Sequence, residues 1–125
     1  MTHSITLYGI PNCDTVKKAR TWLQDKGIAF QFHDFKKNGL DEQTVQTWLA
    51  DIGLDVLINR KGTTWRALSD EQKAAAAEPQ QAIALMIANP SVIKRPVLQI
   101  LVDGKPQHQG VGFSADQYQS IFGQQ

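Results

Sequence analysis

An alternating strand pattern, a Pro-Asn turn and the first turn of an amphipathic helix meet at one residue, Cys13, the only cysteine in the 125-residue chain. Ser4 to Tyr8 reads as a short strand and Asn12 as a favourable helix N-cap. Val16, Ala19 and Leu23 recur at helical spacing, and Gly27 follows Lys26 where a helix would stop. The helix is expected to start at or just before Cys13. A second alternating run, Phe30 to Phe35, completes a β-α-β unit. A right-handed crossover makes its two strands parallel and sets Cys13 at the carboxyl end of the first, where open α/β sheets carry their sites.

That location decides what the thiol can do. Unpaired N–H groups and the positive end of the helix dipole stabilise a thiolate, which is the reactive form of cysteine. Lys17, one helical turn on, shares a face with the sulfur and would lower its pKa, while the carboxylate of Asp14 pushes the other way. Thr15 can hydrogen-bond to the thiolate or to an oxyanion held in the same turn, or it can simply serve the helix start. A lone cysteine can also be a small buried hydrophobe, but the preceding Pro11-Asn12 turn favours partial exposure. A single cysteine excludes an internal disulfide, so any resolving thiol must come from another molecule, and a reducing, cytoplasmic setting is expected.

Composition narrows the alternatives. With 42% hydrophobic residues the chain can bury a core as one domain, residues 1–125. Thirteen Lys+Arg against 12 Asp+Glu give a net charge of +1, too little to draw in nucleic acid or an anionic membrane. The amino-terminal residues lack a basic and then apolar leader pattern, and the apolar runs are too short to span a bilayer. His3, His33 and His108 are isolated and lack ligand-like spacing, so neither a metal nor a bound cofactor is expected. His33 reads as a surface residue on the polar face of its strand.

The middle of the chain, about residues 40–90, reads as a helical insertion. Gly39-Leu40-Asp41 opens a helix carrying Val45, Trp48, Leu49 and Ile52, with Gly53 at its stop. Ser69-Asp70-Glu71-Gln72 is a capping-box signature, and Pro79 starts a helix that ends at Asn89-Pro90. Between them, Asn59 to Arg66 is a polar, basic loop. Val97–Val102 and Gln107–Gln109 flank an Asp103-Gly104 hairpin signal, with Lys105 and Pro106 extending the turn. Ser114 can cap a last helix containing Tyr118, Ile121 and Phe122.

The order β-α-β, helices, β-β-α, with a cysteine after the first strand and a proline heading the third, looks like an α/β thioredoxin-like fold with a mixed sheet. Tyr8-Gly9-Ile10-Pro11-Asn12-Cys13-Asp14-Thr15-Val16-Lys17-Lys18-Ala19-Arg20, the Asn59 to Arg66 loop, Ile93-Lys94-Arg95-Pro96 and Gly110-Val111-Gly112-Phe113 together resemble the ArsC/Spx-like family, most closely its YffB branch. The resemblance implies that Cys13 is the nucleophile, that Arg60 and Arg95 match the first two anion-binding arginines of arsenate reductases, and that Pro96 is cis. A guanidinium presents a permanently charged fork that grips an oxyanion or carboxylate and steadies a nearby thiolate. The chain departs from the family in two places. Lys105 to Phe113, where family arsenate reductases carry a third arginine, contains none, and the second cysteine of the Spx regulators is Val16 here.

The expectation is therefore a glutathione-dependent thiol oxidoreductase. Cys13 would form a mixed disulfide that glutathione, as co-substrate, resolves, and Asn12, Thr15, Lys17, Arg60, Arg95 and Pro96 would form the substrate or glutathione cradle. The substrate would be a small-molecule or protein thiol or disulfide. The alternative is an Spx-like regulatory module that docks on a protein partner. A true arsenate reductase stands behind both.

Overall fold

The computed structural model describes residues 3–122. The chain divides into two compact units, Met1–Asp34 with Arg95–Gln125, and Phe35–Lys94.

The first unit is built on four strands, β1 (His3–Gly9), β2 (Gln31–Asp34), β3 (Val97–Val102) and β4 (Lys105–Val111), in the order β2-β1-β3-β4. β1 and β2 are parallel, while β3 runs antiparallel to both β1 and β4. This is the mixed sheet and thioredoxin-like arrangement expected from the order of elements. The strand alternation ends one residue early. Phe35 leaves the sheet, is buried, and starts a helical turn, α2 (Phe35–Asn38), in the second unit. His33 is half-buried rather than on the surface, its ring 5.0 Å from that of Tyr8.

The crossover helix α1 (Asp14–Asp25) buries Val16, Ala19 and Leu23, and Gly27 leaves it at φ 69°. The closing helix α8 (Ala115–Phe122) buries Tyr118 and Phe122, and the Ser114 hydroxyl caps it by accepting from the Gln117 N–H at 3.0 Å. Leu7, Leu98 and Ile100 meet Ala19, Leu23, Tyr118 and Phe122 in one apolar cluster, and Trp22 packs edge-on against Tyr118 at 5.6 Å. The Asp103-Gly104 turn is tighter than the sequence suggests. Both residues have positive φ, 54° and 82°, which suits a two-residue hairpin. Lys105 and Pro106 therefore pair with Val102 and Leu101 instead of extending the turn. Pro106 is tolerated because β4 is an edge strand.

Gln99 interrupts the apolar run of β3 for a reason local patterning does not supply. It is 6% exposed and accepts from the Tyr8 hydroxyl at 3.1 Å, while its amide donates to Gln109 at 2.8 Å. The three side chains satisfy one another across three strands.

Tyr118 has the opposite character. It is fully buried, and its hydroxyl has no hydrogen-bond partner among the described residues. Burial pushes its pKa well up from the ordinary 10.0. Tyr118→Phe is expected to stabilise the chain by about 1 kcal/mol, because it removes an unsatisfied buried group, and a rise in the denaturant midpoint is the check. A raised phenol pKa contributes stability that is full below 10.0 and is lost as pH rises beyond it. The variant should therefore also blunt alkaline unfolding.

The second unit is helical. The side chain of Asp41 caps α3 (Glu42–Leu49), accepting from the Thr44 N–H at 2.7 Å. That helix ends before Gly53, which instead opens the single turn α4 (Leu54–Leu57). The basic loop is partly helical, since Thr63–Arg66 form the turn α5. Ser69 and Gln72 make the full capping box of α6 (Asp70–Ala75), and Pro79 starts α7 (Pro79–Ala88). Phe35 and Trp48 pack at 6.1 Å within the unit's buried interior, which includes Val45, Ile83 and Met86. No helix among the described residues is long and apolar enough to cross a membrane.

Candidate thiol site

β1 delivers the chain to the site and α1 carries it away. Residues 11–12 make a turn, closed by the Cys13 N–H donating to the Ile10 carbonyl at 3.3 Å. Cys13 is extended, at φ −91° and ψ 124°, and its carbonyl accepts the first helical bond from the Lys17 N–H at 3.0 Å. Cys13 is thus itself the N-cap, one residue beyond the expected Asn12, which lies exposed in the turn. The difference matters chemically. A cysteine thus stands where a hydroxyl or carboxylate side chain usually caps, beside the unpaired N–H groups of the first turn, although its side chain makes no capping hydrogen bond.

Cys13 is half-buried. Burial opposes ionisation and is the largest single influence on the thiol, but it is outweighed. The Val16 N–H, the Arg95 side chain and the Thr15 N–H all favour the thiolate by hydrogen bonding, and the Arg95 charge adds its field. The pKa falls below the ordinary thiol value of 9.0. The acting cation is Arg95. Lys17 and Asp14, expected to push the thiol in opposite directions, are both exposed. Both side chains remain in solvent, where screening is effective.

Sheet topology explains why Arg95 is present. β1 and β3 are antiparallel with Tyr8 opposite Val97, so the carboxyl end of β1 lies beside the amino end of β3. Arg95 and Pro96 immediately precede β3. The Arg95-Pro96 peptide is cis, as the resemblance implies, Pro96 is buried, and its carbonyl accepts from the Gly112 N–H at 2.9 Å. Thr15, half-buried, meets the sulfur through its main chain. The structure thus brings together Cys13, Thr15 and Arg95. It adds the Val16 N–H, a contributor that side-chain patterning could not show because the active group is backbone.

Arg60 belongs to the second unit. There its exposed side chain lies 3.7 Å from Asp55 and 5.5 Å from the centre of the Trp65 ring. The ion pair is solvent-exposed and contributes little. Stacking on Trp65 gives the guanidinium a preferred orientation.

The chain as a whole is similar to proteins already known. A YffB protein of known structure superposes with a TM-score of 0.80 at 44% identity, covering 94% of this chain and 97% of that one. An arsenate reductase-related protein from Brucella melitensis is 47% identical with a TM-score of 0.70, covering 95% of this chain and 94% of its own. The Spx global transcriptional regulator of Listeria innocua is 28% identical over 90% of this chain and 82% of its own length. The model of the ArsC family matches residues 8–121, from the strand that leads into Cys13 to the helix that closes the sheet, and the chain belongs to that family.

Proposed function

We propose that the protein is a glutathione-dependent thiol oxidoreductase. The observation that supports this reading most strongly is a solitary cysteine whose thiolate is favoured by backbone N–H groups and Arg95. In the first step the Cys13 thiolate attacks the glutathione sulfur of a mixed disulfide. A Cys13–glutathione disulfide forms, and the substrate leaves as a thiolate that takes a proton from water. A second glutathione, as thiolate, attacks the adduct, releases oxidised glutathione and regenerates the Cys13 thiolate. The substrate disulfide is reduced, glutathione is oxidised, and no second protein thiol is needed. Arg95 holds a glutathione carboxylate and steadies each departing thiolate, and the Thr15 and Val16 N–H groups complete the cradle. Asn12 and Lys17, which flank Cys13 in sequence, belong to the proposed cradle, and the family resemblance adds Arg60 as an anion-binding residue. A reducing, cytoplasmic compartment supplies the glutathione. Arsenate ranks below disulfides as a substrate because Lys105 to Phe113 offers no arginine for a third charged contact.

Incubation with oxidised glutathione tests the reading. Mass spectrometry should find one adduct per chain, at Cys13, released by excess reduced glutathione and formed faster than on an unstructured peptide thiol of matched pKa. Adduct formation no faster than on the peptide would instead favour a second reading, a protein-docking module, which is supported by the similarity to Spx regulators.

A further inference from the structure

Gly9, the last residue of β1, is a glycine for reasons of space. It pairs with Asp34 in extended backbone and is not among the positive-φ glycines, so its conformation is open to any residue. Glycine weakens a strand interior, and where one stands there it often marks a close approach of another segment. Here that segment is α1. A Cβ on Gly9 would lie 2.8 Å from Val16 Cγ2 and 3.3 Å from Cγ1. Contacts under 3.0 Å are essentially never made, and Val16 is fully buried with a β-branched side chain that is stiff in a helix. The side chain cannot swing away, so an added methyl would have to push the first turn of α1 off the strand.

We propose that Gly9 is a positioning residue for Cys13: its missing side chain lets the first turn of α1 seat against the end of β1, and that seating sets where the N–H groups of that turn stand relative to the sulfur of the N-cap cysteine. The inference rests on Cys13 being the reactive thiol, but not on glutathione being its partner. Hydrogen-bond strength falls steeply with length and angle, so a shift of a few tenths of an ångström is felt at the sulfur while the hydrophobic seat of the helix survives.

The test is a double-mutant cycle read at the thiol. Gly9→Ala should titrate, by the ultraviolet absorbance of the thiolate, closer to an ordinary cysteine, and should react about three- to tenfold more slowly with iodoacetamide near neutral pH. Val16→Ala keeps the N–H but removes both γ-methyls, leaving only the Val16 Cβ position, an ordinary 3.6 Å contact. Adding Gly9→Ala to Val16→Ala should therefore change titration and alkylation much less than adding it to the wild type. A folded Gly9→Ala variant that titrates as wild type overturns the proposal, and so does a change that is equally large in both backgrounds. If Gly9→Ala alone fails to fold, the double variant decides: recovery of both folding and the lowered titration supports the proposal, and a folded double variant with an ordinary thiol overturns it. Neither readout uses glutathione, so failure of glutathione to form an adduct leaves this result standing.

Discussion

Cys13→Ser is expected to abolish glutathione adduct formation completely and with it all turnover of glutathione-linked disulfides, while circular dichroism remains that of the wild type. A hydroxyl fills the N-cap at least as well as a thiol, so the helix keeps its start, but it does not form an anion able to attack a disulfide near neutral pH. The pH dependence sharpens the test. The folded thiol's pKa lies below 9.0, so the wild-type alkylation rate should reach its plateau at lower pH than for a free cysteine. A thiol whose folded pKa is depressed contributes stability that is present above the unfolded value and is lost as pH falls through the folded one. That pH-dependent component should vanish in Cys13→Ser. Adduct on the variant, or a wild-type profile identical to a peptide thiol, would remove Cys13 from the centre of the proposed chemistry.

Arg95→Ala should have the next largest effect. It removes both a hydrogen bond to the sulfur and a cation that favours the thiolate, leaving backbone N–H groups to oppose burial. One charge-assisted hydrogen bond sets the scale, so adduct formation and alkylation near neutral pH should slow by about tenfold or more. The direction follows from the thiol: less thiolate at neutrality, with the rate recovered as pH rises. Arg95→Lys should recover part of the effect, because it keeps the charge but loses the planar fork. High salt should narrow the gap between wild type and Arg95→Ala as screening weakens the charge. Stopped-flow alkylation across a pH range measures all three, and equal rates for wild type and Arg95→Ala would remove Arg95 from the site.

Much of this was legible one element at a time. The strand before Cys13, the spacing of Val16, Ala19 and Leu23, the stop at Gly27, the Ser69 capping box and the Asp103-Gly104 turn each depend on a few neighbouring residues whose backbone preferences agree with the fold. Cys13 was also legible as a thiol at a helix start. Neighbour-level patterning was less reliable at boundaries. It put the cap on Asn12, where the turn that the Cys13 N–H makes with Ile10 moved it on by one, and it ran the second strand into Phe35, which burial drew into a helical turn.

Other features depended on residues far apart in the chain. Arg95 was named through resemblance, but its place beside Cys13 follows from the antiparallel register that sets Tyr8 opposite Val97. The same register places Gln99 between Tyr8 and Gln109, turning an isolated polar residue in an apolar strand into a satisfied one. The strand read over Ser4 to Tyr8 stops short of Gly9, and only the packing of Val16 against that glycine shows why a side chain is excluded there. Where the thiol sits along the chain, and which helix start supports it, followed from local residues, because caps, turns and periodicity are set by bonds within a few positions. Which charge reaches the sulfur followed from the pairing of distant strands, because field and hydrogen bonding depend on distance in space.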